Sequence, residues 1–259
     1  MLHECLVSLP HEDFLYLGDT ARFPYGDRSA DELLRFGREL AGILLDRGAK
    51  LLVVACNSAT AAALPALREE LEGRVPVVGV VTPESRLAAR LTRSGRVGLL
   101  ATEATVASGA YERALAEAAP AASLVPVACP ELAPLIQEGG EWDERVVEAV
   151  ESYCAPLRAA KVDAVILGCT HYPLVRPIIQ RALGRGVEIV SSGQAIDDDV
   201  EAALASAGLE GDPDRRGTYR FLCSGDPESF RRAGTRFLQL PLGEVRHVEV
   251  APEGARRAA

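Results

Sequence analysis

Two cysteines stand in matching surroundings. Cys56 closes the apolar run Leu51-Leu52-Val53-Val54-Ala55 and is followed by Asn57-Ser58-Ala59-Thr60. Cys169 closes Val162-Asp163-Ala164-Val165-Ile166-Leu167-Gly168 and is followed by Thr170-His171-Tyr172-Pro173. Each run reads as a buried strand, and each polar tail reads as the cap and first turn of a helix. A thiol at a helix N-terminus has its thiolate stabilised, which lowers a pKa of about 8.5 toward neutrality. The free backbone N–H groups there also form a carboxylate site. A lone cysteine is by type a small, often buried residue. Two at equivalent ends of similar segments point instead to one active site with the thiols facing each other.

The other candidates carry less. Cys5, Cys154 and Cys223 lack such a setting and read as structural, and Cys129-Pro130-Glu131 draws attention only to Glu131. His171, beside Cys169, suits a group that orients or protonates the thiol, and equally a helix cap. His3, His11 and His247 are scattered, so no metal-ligand spacing exists. Neither GxGxxG after a strand nor GxxxxGK[ST] occurs. Lys50 opens one strand candidate and Lys161 directly precedes another, poor places for a Schiff-base lysine, so the expectation is no cofactor. The loop Leu17-Gly18-Asp19-Thr20-Ala21-Arg22-Phe23-Pro24-Tyr25-Gly26 reads either as a plain connection or as a carboxylate site built on Tyr25 and Gly26.

The elements that would position these residues alternate along the chain. Strand segments are expected at 14–18, 50–55, 75–81, 96–101, 123–128, 162–168, 187–191 and 219–223, with an alternating edge strand at 245–250. Amphipathic stretches at 31–47, 59–72, 103–118, 142–159 and 193–207 predict helices between them. This alternation specifies an α/β fold with a mostly parallel sheet flanked by helices. The Cys56 and Cys169 segments superpose at a shift of 113 positions, which also brings 75–81 near 187–191 and 14–18 near 123–128. Two pseudo-symmetric lobes follow, residues 1–93 plus 192–259 and residues 94–191, with the site between them at the carboxyl ends of the strands. Under this shift, strand 96–101 and its loop map to positions before Met1. The expectation is therefore that the first lobe lacks its opening strand, with residues 2–9 the tail of the helix after it.

Bulk composition excludes several classes. The 259 residues are 48% apolar and 25% charged, an ordinary globular balance. A net charge of −9 without a basic cluster argues against nucleic acid. No run approaches a membrane span, and no secretory signal is seen at Met1-Leu2-His3-Glu4-Cys5, so the expectation is a cytoplasmic protein whose six cysteines stay reduced.

At the residues quoted, the chain resembles the glutamate racemases, cofactor-independent enzymes that supply D-glutamate for peptidoglycan. The segments Tyr16 to Gly26, Val54 to Thr60, and Leu167 to Leu174 carry the likeness, together with Thr102-Glu103-Ala104-Thr105 and Ser108-Gly109-Ala110-Tyr111. The resemblance implies two bases on opposite faces of the α-carbon, with Cys56 taking the proton of D-glutamate and Cys169 that of L-glutamate. It implies substrate contacts from Tyr25, Gly26, Asn57, Ser58, Thr170 and His171, with Thr102 and Thr105 nearby. It gives Glu131 and His171 the role of assisting Cys169, and its members often form homodimers. Two departures stand out: Ser58 replaces a frequent threonine, and the family's opening strand with its Asp-Ser-Gly segment has no match. The alternatives are an inactive amino-acid-binding or regulatory protein that lacks that strand and, ranked lower, an aspartate racemase.

Overall fold

Each expected strand segment is a strand in the computed structural model, which describes residues 1–139, 143–238 and 241–251. They are β1 (Phe14–Gly18), β2 (Leu52–Val54), β3 (Val77–Gly79), β4 (Arg96–Ala101), β5 (Ser123–Ala128), β6 (Ala164–Gly168), β7 (Glu188–Val190), β8 (Tyr219–Cys223) and β9 (Val245–His247). Every pairing among them is parallel. The expected segment 75–81 is cut short because Val81 already starts a helix, whose first turn holds Pro83 and Glu84, residue types suited to that place.

The helices are α1 (Leu2–Ser8), α2 (Ala30–Leu45), α3 (Asn57–Glu70), α4 (Val81–Leu91), α5 (Glu103–Ala107), α6 (Ala110–Ala118), α7 (Leu132–Gly139), α8 (Glu144–Ala159), α9 (Arg176–Leu183), α10 (Ser192–Ala195), α11 (Asp197–Ala207) and α12 (Pro227–Leu238). A capping box at Ser29 and Glu32 starts α2. The stretch expected as one helix over 103–118 is two, because Gly109 takes φ +64, a left-handed turn that glycine adopts without steric cost. Helices α4, α7 and α12 are additions to the sequence reading, and α9 is the helix expected after Cys169, entered through a 3-10 turn at Tyr172–Val175.

Residues 94–191 supply a four-stranded sheet in the order β5-β4-β6-β7. Both of its faces are covered, one by a core that includes Ile136, Val150, Leu157, Val165 and Ile179, the other by one around Leu99, Tyr111, Leu115 and Ile166. This explains why 164–167 is continuously apolar. The remaining strands form β1-β8-β9 and β2-β3, with β9 at an edge as its alternation predicts. The repeat pairs β1 with β5 and β2 with β6. In the second sheet β4 lies between those two positions; β1 and β2 instead face each other across a cleft lined by residues 14–18 and 51–54. Val53 and Tyr16, on the two sides of that cleft, remain 36% and 37% exposed.

Candidate active site

The two cysteines occupy equivalent places. Cys56 follows β2 and is the N-cap residue of α3, with extended backbone angles of φ −79 and ψ 126. Cys169 follows β6 directly, ahead of a 3-10 turn at Tyr172–Val175 that runs into α9. Both thiols line one continuous cleft of about 2260 Å³. The sequence periodicity explains the placement: buried strands end where the polar cap begins, so the last residue of each strand projects from the carboxyl edge of its sheet.

Backbone donors face each thiol. The N–H groups of Ser58 and Ala59 favour the thiolate of Cys56, and those of His171 and Tyr172 favour that of Cys169. Burial opposes this and dominates. The Cys56 thiol is raised from its ordinary value, and Cys169, only 8% exposed, is pushed up to about 12. A negative charge on Cys56 raises Cys169 further, so the two thiols titrate as a pair in which one ion disfavours the other.

Three buried hydroxyls come together at the start of α3 and the start of α5. Ser58 Oγ is 2.9 Å from Thr102 Oγ1 and 3.1 Å from Thr105 Oγ1, and the two threonine oxygens are 3.0 Å apart. Thr102 is the N-cap of α5 and accepts from the Thr105 N–H. Gly26 packs closely on Thr102: its carbonyl accepts from Ala104 N–H at 3.0 Å, and a Cβ there would stand 3.0 Å from Thr102 Cβ. The loop that brings Gly26 in is braced by Asp19, which accepts from Arg22 Nε and Ser224 Oγ, each at 2.6 Å, and from the hydroxyl of Tyr25. Arg22 is 2% exposed and also donates to Glu39 at 2.7 Å, so a charge cluster compensates its burial.

The remaining candidates divide between the cleft wall and the layer behind it. Tyr25, Gly26, Ser58, Thr102, Glu131, Thr170 and His171 line the cleft. Asn57, 1% exposed, and Thr105, fully buried, lie behind it. The amide nitrogen of Asn57 donates to Glu84 at 3.0 Å and to Tyr111 Oη at 2.6 Å. The His171 ring packs between Phe23 and Phe237, at centroid distances of 5.4 and 6.5 Å, and its Nε2 donates to Gln137 Oε1 at 3.0 Å. Burial lowers its pKa to about 4, so the imidazole is neutral at neutral pH and its contribution to Cys169 is the backbone N–H. Glu131 is exposed at the wall.

Sequence reasoning does not single out Glu84 or Ser192. Glu84 reads as an ordinary first-turn acid, and Ser192 as a helix start. Their partners lie 27 to 108 positions away, beyond any local pattern. Among the described residues no cluster of His, Cys, Asp or Glu has the arrangement of a metal site, and no helix is long and apolar enough to cross a membrane.

Known proteins resemble this chain in sequence and in fold. Residues 8–197 match the family model described as Asp/Glu/Hydantoin racemase. The glutamate racemase of Parafrankia sp. is 46% identical over 98% of this chain and 90% of its own length, and that of Geobacter metallireducens is 42% identical over 98% and 93%. A glutamate racemase isoform from Bacillus anthracis superposes with a TM-score of 0.89 at 35% identity, covering 96% of this chain and 92% of its own. The enzyme of Francisella tularensis, crystallised with D-glutamate, gives 0.87 at 28% identity with the same coverage.

Proposed function

The chain belongs to the Asp/Glu/hydantoin racemase family and is an amino-acid racemase, an isomerase; from this premise we propose that it interconverts L- and D-glutamate by two-base proton transfer between Cys56 and Cys169. The observation that carries the mechanism is the equivalence of the two thiols, each at a strand end, each facing two backbone N–H groups, and both on one cleft.

One thiol must start as a thiolate and the other as a thiol. From D-glutamate, the Cys56 thiolate removes the α-proton, and Cys169 delivers its own proton to the opposite face; from L-glutamate the roles reverse. After each turnover the charge has moved to the other sulfur. Burial raises both thiols, so the ionised base is a high-energy and therefore strong one, held by its N–H groups. The developing carbanion is stabilised by donors around the α-carboxylate, a task suited to Ser58, Thr102 and the helix-end N–H groups because their geometry is already set. Residues 1–93 with 192–259 carry Cys56 in this reading, and 94–191 carry Cys169. The enzyme then works in the cytoplasm, where its product serves peptidoglycan synthesis.

Incubation with D-glutamate in deuterated water, without added cofactor, tests the reading. Loss of optical activity together with deuterium at Cα is the expected result; neither signal from folded protein would refute it. One observation favours a second reading, binding without turnover: the cleft between β1 and β2 leaves the sheet on the Cys56 side divided. Calorimetric binding of D-glutamate without Cα exchange would select that alternative.

A further inference from the structure

Glu84 is fully buried and takes no part in the proton transfers above. It sits in the first turn of α4, and its carboxylate gathers donors from three other elements. Oε2 accepts from Asn57 Nδ2 of α3 at 3.0 Å and from the hydroxyl of Tyr111 in α6; Oε1 accepts from the hydroxyl of Ser192, which opens α10 after β7. Asn57 Nδ2 also donates to Tyr111 Oη at 2.6 Å, closing a ring of hydrogen bonds. A carboxylate only accepts, so it orients the Asn57 amide with nitrogen inward and leaves Oδ1 as the buried atom of that side chain without a partner.

The residue so held is the first of α3 and directly follows Cys56. The next two residues supply the N–H groups that face the Cys56 sulfur. We propose that Glu84 is a positioning residue: through Asn57 it anchors the start of α3 against α6 and α10, and thereby aims the Ser58 and Ala59 N–H groups at Cys56. The inference rests on the reading of Cys56 as a base. A buried carboxylate is costly unless all its partners are in place, so the cluster has one low-energy arrangement and resists drift at the helix start. The titratable groups facing Glu84 are Tyr111 from α6 and Cys169 beyond β6; Asn57 and Ser192, from α3 and α10, carry none.

The experiment compares the whole chain with Glu84→Ala, Glu84→Gln and Asn57→Ala. Alkylation of Cys56 by iodoacetamide across the alkaline range, resolved by peptide mass, gives the apparent pKa of that thiol whether or not the enzyme turns over. Glu84→Ala is expected to raise the Cys56 pKa and slow its alkylation at fixed pH by about tenfold, and to cut kcat/KM for D-glutamate by about 10²-fold, the cost of a misplaced catalytic group. Glu84→Gln keeps an acceptor oxygen and is expected to recover part of both. Asn57→Ala cuts the same link from the other side, so it decides the matter if Glu84→Ala does not fold. An unchanged Cys56 titration in folded variants, with only Tm lowered, would overturn the proposal. Absence of turnover in the unsubstituted chain would count against the racemase reading alone, since the thiol titration still decides the role of Glu84.

Discussion

Ser58 Oγ lies 2.9 Å from Thr102 Oγ1, and this contact ties the helix that begins beside Cys56 to the loop that leaves β4 of the other sheet. Ser58 is 3% and Thr102 6% exposed, so the bond is sheltered from water although both residues reach the cleft wall. Lost hydrogen bonds in such a place are not replaced by solvent.

Thr102→Val keeps the shape and removes the hydroxyl. It also removes the cap of α5. The expected cost is about 1–2 kcal/mol of stability from the lost cap, with kcat/KM for glutamate down about tenfold for a lost hydrogen bond near the reacting centre. Thr102→Ser should restore both. Thermal unfolding and steady-state kinetics on the two variants check this, and equal activity of the valine variant would exclude a role for the hydroxyl set.

Cys169→Ala removes one base and leaves the other. Racemisation should fall by at least about 10²-fold, the low end for loss of a general acid or base. Cys56 can still remove and return the proton of D-glutamate on one face. Deuterium should therefore wash into D-glutamate without inversion, and Cys56→Ala should show the mirror pattern with L-glutamate. NMR of recovered substrate distinguishes exchange from inversion.

The half-buried His171 and the fully buried Glu84 give stability opposite dependences on pH. His171 is lowered from 6.5 to about 4, so between these values the unfolded chain binds more protons and stability rises with pH. Glu84 is raised from 4.5 to about 7 by burial, so the folded chain binds more protons there and stability falls as pH rises. The slopes offset each other between 4.5 and 6.5. Glu84→Gln should unmask the rise, and His171→Asn the fall. Urea unfolding at a series of pH values reads the slopes directly; parallel curves for all three proteins would refute the assignment.

Gly168→Ala probes the strand that delivers Cys169. A Cβ there would stand 2.8 Å from Leu99 Cδ1 and 3.0 Å from Ala101 Cβ, across the β4–β6 pair. Neither neighbour can move far inside a covered sheet. The expected destabilisation is about 1–3 kcal/mol, as for other overpacked cores. Activity should drop with it, because a shifted strand end displaces the thiol. Chemical denaturation and kcat measurement check both, and a stable, fully active variant would contradict the packing described.

Much of the architecture was legible before the fold was known. The runs at 97–101 and 164–168 carry no polar side chain because both faces of β4 and β6 are covered, and such runs leave a strong local signature. The Cys56 and Cys169 segments stood out because strand end, thiol and cap residues are contiguous. The break inside 103–118 was not resolved, since Gly109 is compatible with a helix in sequence and only its left-handed backbone shows the turn. Helix α12 is not evident from local sequence, because Phe230 packs on Tyr16 and Phe237 on His171, partners more than 60 positions away.

What the sequence determined by itself is the set of elements and the type of chemistry: parallel strands, helices between them, and two thiols at helix starts. These follow from interactions between near neighbours, where spacing and residue type decide the free energy. Tertiary structure alone decided which groups share an environment. It set Ser58 against Thr102 and Thr105, turned the Asn57 amide toward Glu84, and enclosed His171 between two aromatic rings so that its ring stays neutral. Burial and hydrogen bonding between segments far apart in the chain produce these effects. Neither leaves a trace in local composition, because the partner that satisfies a buried polar group is chosen by packing and not by sequence distance.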